Sequence, residues 1–211
     1  MNERFSIICA ANDEYVLSKN LLESPGIMEH DMQIMRGYTN VAEAYNHGLA
    51  EAECFIRILV HQDVYLPMTF FPDLRRSLKS LAASRWGVLG VAGRSGEEFV
   101  GCVRDRMNDL VTRHLPRVVE TLDELLLVTN ATSPLFDTRN PTHHLFGADL
   151  CLSAWTMGLR SYVIPAFCYH NSTQGARLPE DYKKSVEWIA EKWRERLPIH
   201  TTCGTITGGK S

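Results

Sequence analysis

The sequence predicts an α/β domain in which a predominantly parallel, mixed central sheet is flanked by helices. Short β-branched apolar runs alternate with segments of helical spacing for most of the length, as βαβ units do. No repeat, low-complexity block or Pro/Ser-rich linker divides the 211 residues, so residues 1–200 read as a single domain. Residues 201–211 hold Gly204, Gly208 and Gly209 with little to bury, and read as a flexible tail.

Phe5 to Ala11 is the first strand, an apolar run that stops at the polar Asn12-Asp13-Glu14. A second strand is expected over Met32 to Met35, closed by Arg36-Gly37-Tyr38. Asn40 then caps a helix: Glu43 completes a capping-box-like pattern, and Val41, Ala44, Tyr45, Leu49 and Ala52 mark one face. Phe55 to Val60 is strand-like and stops at His61-Gln62-Asp63. Helical spacing returns over Pro72 to Ala83 through Leu74, Leu78 and Leu81, and Val88 to Ala92 is another strand closed by Gly93. After a looser stretch, Leu125 to Val128 gives a strand and Phe146 to Trp155 a helix stopped by Gly158. Tyr162 to Tyr169 reads as a strand in which Pro165 favours an edge position or a bulge. Pro179 opens the last helix, whose Tyr182, Val186, Ile189, Trp193 and Leu197 recur at steps of four, three, four and four. That face packs on the body.

Lys and Arg total 22 against 25 Asp and Glu, a net charge of −3, so nothing draws the whole chain to nucleic acid or an anionic membrane. No apolar stretch approaches the roughly 18 residues of a transmembrane helix, and Phe5 to Ala11 is too short and acidic at its flanks for an export signal. A cytoplasmic protein is expected. The six cysteines stand singly, and Cys9, Cys54, Cys151 and Cys168 sit in apolar runs as reduced core thiols.

In open α/β sheets the carboxyl ends of parallel strands share one crevice, where ligands bind. Asn12-Asp13-Glu14, His61-Gln62-Asp63, Gly93-Arg94-Ser95 and His170-Asn171-Ser172 each follow a predicted strand, so residues distant in sequence meet there. Asp63 sits between an apolar strand and Val64-Tyr-Leu-Pro67, where a carboxylate is costly without a cationic partner. It reads either as a ligand for Mg²⁺ or Mn²⁺ bridging to phosphate, or as the cap of a turn. His170 could give an imidazole to the same ion, or be hydrogen-bonded in place. Asp149 falls in the first turn of the helix after Gly147, where the helix dipole stabilises it; it reads as a general base or an ordinary first-turn Asp. Asp123-Glu124 precedes an apolar run and either binds substrate hydroxyls or caps a turn. His143-His144 are adjacent and cannot share a helical face, so they are not read as a metal site. The signatures of phosphate-loop, dinucleotide, zincin and serine-hydrolase sites are absent.

The blocks Asn40-Val-Ala-Glu-Ala-Tyr-Asn-His-Gly48, Ile58-Leu-Val-His-Gln-Asp-Val-Tyr-Leu-Pro67, Gly87-Val-Leu-Gly-Val-Ala-Gly93, Glu120-Thr-Leu-Asp-Glu124, Leu135-Phe-Asp137, Phe146-Gly-Ala-Asp-Leu-Cys-Leu152 and Tyr169-His170 together resemble a glycosyltransferase family 2-like group. These are GT-A-fold nucleotide-diphospho-sugar transferases, and the resemblance spans residues 5–172. It implies a single GT-A-like domain that moves a sugar from a nucleotide-diphospho-sugar donor to a hydroxyl acceptor with the help of Mn²⁺ or Mg²⁺. By position it implies that Asp63 binds metal and diphosphate and that His170 is a late metal contact. Ala10, Ala11, Asn12, Asn46, His61 and Gln62 are implied around the nucleotide sugar, Asp149 as base, and Asp123 and Glu124 toward the acceptor. His61 departs from the first Asp of the usual DxD motif. Two rivals are a sugar-nucleotide-binding protein without catalysis and a metal-dependent hydrolase. The acceptor is expected to be held by a partner or by the loops around residues 94–116.

Overall fold

The computed structural model describes residues 4–172 and 178–208. In chain order the elements are β1 (Ser6–Ala10), α1 (Glu14–Lys19), β2 (Asp31–Met35), α2 (Val41–Glu51), β3 (Ile56–Val60), β4 (Val64–Tyr65), α3 (Phe70–Ser80), β5 (Trp86–Gly90) and β6 (Ala92–Ser95). There follow β7 (Glu98–Asp105), β8 (Asn108–Val111), β9 (Arg117–Val119), β10 (Thr121–Leu122), β11 (Leu126–Asn130), α4 (Phe146–Thr156), β12 (Arg160–Val163), β13 (Cys168–His170), α5 (Tyr182–Lys192), β14 (Ile199–Thr201) and β15 (Gly204–Ile206).

The main sheet has the order β2-β1-β3-β11-β5-β12-β9. In it β1, β2, β3, β5 and β12 run one way, and β11 and β9 run against them, which is the mixed, predominantly parallel sheet that the alternating pattern predicts. Alternate residues of one strand serve opposite faces. Ile7 and Cys9 of β1 pack into the core layer that holds Phe70 and Leu74 of α3, whereas Ile8 joins Tyr45 of α2 and Leu150 of α4 on the other side. Asn40 caps α2 as expected, its Oδ1 accepting from the Ala42 amide at 2.9 Å and the Glu43 amide at 3.3 Å. Among the described residues no helix is long and apolar enough to cross a membrane.

A second sheet, ordered β10-β6-β7-β13-β4 with β8 paired to β7, stands at the carboxyl ends of the parallel strands. Among the places where the chain passes between the sheets are residues 61–63, Val91, residues 123–125 and residues 164–167. These four crossings frame the crevice.

Three readings of the sequence change. The looser stretch before residue 125 is an antiparallel ribbon, β6 to β8, whose outer positions are polar and exposed and so carry no apolar period. The strand read over Tyr162 to Tyr169 divides at Pro165: β12 ends its ladder with the Ile164 amide on the Gly90 carbonyl at 2.9 Å, and β13 joins the other sheet. The expected tail contains the β14–β15 hairpin, in which Ile199 and Ile206 are buried against α5; residues 209–211 lie outside the described residues. All six cysteines are free, as expected, but Cys54 is half-buried and Cys102 takes its place in the core.

Gly93 shows how closely β6 meets β10. A Cβ there would lie 2.3 Å from the Thr121 carbonyl oxygen, a backbone atom that cannot move aside alone. Gly93→Ala should cost about 1–3 kcal/mol by denaturant unfolding; an unchanged midpoint would contradict this close approach.

Candidate functional site

The turn after β3 is held by its own backbone, with the Val64 amide on the His61 carbonyl at 3.2 Å, and is tied to β13 by the Asn171 amide on the Asp63 carbonyl at 2.9 Å. His61, Asp63 and His170 thereby each offer a ligand atom within 4.8 Å of one another. Among the described residues Asp63 Oδ1 is buried without a hydrogen-bond partner, and His170 Nε2 stands 3.5 Å away, an ion-pair distance. The second carboxylate in this chain of contacts is Asp105, whose Oδ1 lies 2.8 Å from His170 Nδ1. A carboxylate only accepts, so Nδ1 carries the proton and Nε2 is turned toward Asp63.

Burial by itself would lower the His170 pKa, but the carboxylate of Asp63, then those of Asp123 and Asp105, push it up to about 9. Asp63 answers in the opposite sense: burial raises its pKa, and the neighbouring His170 and His61 more than reverse that. His61, with burial as the main cause, is held below its ordinary value and so stays neutral. The site stabilises positive charge, from a proton or from a metal ion. The orphaned Asp63 oxygen and two imidazoles form a donor set that suits Mn²⁺, with Mg²⁺ less at home among nitrogen ligands.

The cluster opens on a cavity of about 790 Å³, also lined by Ala10, Ala11 and Asn12 at the end of β1. Gln62 rivets the two strand ends together: its Oε1 accepts from the Asn12 and Asp13 amides at 3.0 and 3.1 Å, and its Nε2 donates to Asn12 Oδ1 at 2.7 Å. Phe99, Asp105 and Leu110 of the β7–β8 ribbon form another part of the wall, within the stretch expected near the acceptor.

Asp123 and Glu124 also line the cavity. Asp123 is occupied: Oδ1 accepts from the Leu125 amide at 3.1 Å and Oδ2 from the Thr202 hydroxyl at 2.6 Å. Thr201, Thr202 and Cys203, in the stretch read as a tail, complete this wall. Arg94 Nε donates to the Thr201 carbonyl at 3.2 Å and His200 Nδ1 lies 3.0 Å from Glu120, which seats the hairpin on the second sheet. The signal that could have found it is Ile199 and Ile206 flanking a Gly204 turn. Burial, then the adjacent Asp123, push the Glu124 carboxyl up to about 8.

Two expected site residues lie elsewhere. Asp149 is 3% exposed and absent from the cavity wall. Its Oδ1 accepts from Trp193 Nε1 at 2.7 Å and its Oδ2 from Lys192 Nζ at 2.9 Å, while Lys192 also reaches Asp137 at 2.8 Å. It anchors α5. Asn46 likewise bonds the backbone of Phe136 through both ends of its amide, each at 2.9 Å, and does not line the cavity. His143 and His144, set aside in the sequence, meet Asp181 within 4.8 Å on the rim, because they lie in a loop rather than on a helix.

No family model matches the sequence. Among curated proteins, ORF 6 of the ATP synthase subunits region of Fuscovulum blasticum is 29% identical over 166 residues, 72% of this chain and 66% of that protein. Solved structures share the fold. S. aureus TarS matches with a TM-score of 0.59 at 13% identity, over 90% of this chain and 39% of that one. The mannosyltransferase PcManGT from Pyrobaculum calidifontis, in complex with GDP-Man and Mn²⁺, gives 0.56 at 13% identity, over 91% and 61% of the two chains. TarS 1–349 in complex with UDP-GlcNAc gives 0.53 at 14% identity, over 90% and 66%. The chain thus spans less than two thirds of each of these relatives and has a GT-A-like fold, the fold of glycosyltransferases.

Removing the Asp149 carboxylate leaves Trp193 Nε1 without its acceptor and Lys192 with Asp137 as its one remaining carboxylate. Asp149→Ala should cost about 3 kcal/mol of unfolding free energy, and a loss below about 0.5 kcal/mol would deny the anchoring role. Glu124 makes a pH prediction. The folded protein holds its proton up to about 8 against an ordinary 4.5, so stability is highest below that ordinary value and is lost as pH rises toward about 8. Glu124→Gln has nothing to ionise, so the stabilities of the two proteins should diverge as pH rises from about 4.5 to about 8 and run parallel above that; melting curves that stay parallel across this window would contradict the shift.

Proposed function

We propose that the protein is a metal-assisted glycosyltransferase that takes a sugar from a nucleotide-diphospho-sugar and passes it to a hydroxyl acceptor. The observation that carries this reading is the buried, unpartnered Asp63 oxygen facing His170 at the mouth of the 790 Å³ cavity, at the carboxyl ends of the parallel strands. A cavity of that size accommodates a sugar nucleotide. The fold supports the reading, as does the Mn²⁺ and GDP-Man complex of the mannosyltransferase neighbour.

Asp63, His170 and His61 would hold the cation, with Asp105 fixing the ring of His170 from behind. A divalent ion there neutralises the charge that develops on the departing diphosphate. The end of β1, locked by the Asn12–Gln62 amide pair, forms a firm wall for the nucleoside. His61 in place of an acidic residue leaves the cluster one negative charge poorer than a pair of aspartates, which suits a site shared between one cation and a diphosphate.

The test is a melting experiment with UDP-GlcNAc, GDP-mannose and other nucleotide sugars, each with and without Mn²⁺. A bound donor at about 100 times its Kd stabilises by about 2.7 kcal/mol, or roughly 5–10 °C for a chain of this size. A shift that requires Mn²⁺ and disappears in Asp63→Asn is the expected result. A shift that survives that substitution, or no shift with any donor, would overturn the proposal.

A further inference from the structure

Three carboxylates gather where β10 leads into β11 and α4 begins, and their hydrogen bonds separate them. Asp149 gives both oxygens to Lys192 and Trp193. Asp123 gives both to Leu125 and Thr202. Glu124 has no side-chain partner among the described residues; its carboxylate accepts from backbone amides alone, its own and those of Leu145 and Gly147, the last at 3.4 Å, and the residue lines the cavity. The start of α4 is cut back to make room for it: a Cβ on Gly147 would stand 3.2 Å from Glu124 Cγ and 2.9 Å from the Leu122 carbonyl. The next residue, Leu125, accepts the His61 amide at 3.0 Å, so Glu124 shares the cavity mouth with the cation cluster.

Resting on the glycosyl-transfer reading, we infer that Glu124 is the general base of the cavity, taking the proton of the acceptor hydroxyl. The acceptor oxygen forms its bond to the anomeric carbon as the bond from that carbon to the diphosphate oxygen breaks. The electron pair leaves on the nucleoside diphosphate, the hydroxyl proton ends on Glu124, and the sugar is inverted. A carboxyl whose affinity for protons is matched to neutral or mildly alkaline pH is a more effective base than an ordinary glutamate.

The titratable neighbours leave that proton transfer legible. Asp123 adjoins Glu124 in the chain, Tyr45 faces it from α2, Cys151 from α4, Tyr182 from α5 and Cys203 from the hairpin turn. Burial pushes the two thiols up to about 12 and holds both phenols above their ordinary value, and it keeps His61 below its own. Neither the two thiols, nor the two phenols, nor His61 titrates at the pH where Glu124 does.

The experiment supplies Mn²⁺ with UDP-GlcNAc or GDP-mannose, and measures donor binding by calorimetry and nucleoside diphosphate release with water as the acceptor. Wild-type release should rise with pH to a plateau. Glu124→Gln should bind donor within about 3-fold of wild type, release it about 100-fold or more slowly, and lose the pH dependence. Glu124→Asp should recover part of the rate. Release by Glu124→Gln at the wild-type rate overturns the inference and leaves donor binding standing. Donor bound by the wild-type protein but never turned over also overturns it, since water at the base would be activated in the same way. If neither protein binds any donor, the glycosyl-transfer reading itself has failed.

Discussion

The constraint on which the rest depends is a carboxylate that the fold has buried without giving it enough hydrogen bonds. Asp63 leaves β3 at the point where the chain turns from one sheet to the other, so its position is fixed by backbone pairing on both sides. One of its oxygens has no hydrogen-bond donor among the described residues. The nearest compensation is the His170 ring, held by Asp105, and it arrives by way of β13, which pairs with β4 and β7. The second sheet therefore exists in large part to bring an imidazole, its orienting carboxylate and Asp63 to one place. Buried negative charge short of hydrogen bonds is costly in a cavity wall, and a cation, whether the protonated His170 ring or a metal ion, relieves the cost.

The same topology explains why the cavity lies where it does. Four crossings between the sheets leave a gap at the carboxyl ends of the parallel strands, and residues from each side of it are stitched by polar contacts rather than by core packing. Gln62 locks β1 to β3, and Thr202 locks the hairpin to Asp123. Such contacts keep a wet cavity rigid where apolar side chains would fill it.

What was legible in the sequence follows the same division. The parallel strands read clearly, since residues such as Ile58 to Val60 are buried and announce themselves as apolar runs. Asp63 and His170 were readable as strand-ending polar residues for the same reason. The antiparallel ribbon and the hairpin were not, because half of each faces outward and short strands carry too few residues to show a period. A first-turn acidic residue looks alike in sequence whether it faces a cavity or, as Asp149 does, a lysine arriving from α5 some 43 residues later. The family resemblance implied Glu124 toward the acceptor, but which of the neighbouring carboxylates lacks a side-chain partner is a matter of tertiary contacts, and no spacing encodes it.

The central claim is that Asp63 and His170 grip one divalent cation together. Anomalous diffraction from crystals grown with Mn²⁺ and a nucleoside diphosphate tests it most directly. The account predicts a manganese peak within bonding distance of Asp63 Oδ1 and His170 Nε2, with a phosphate oxygen on its far side. A peak at His143, His144 and Asp181 instead, or a nucleotide seated in the cavity with no metal between it and Asp63, would contradict it.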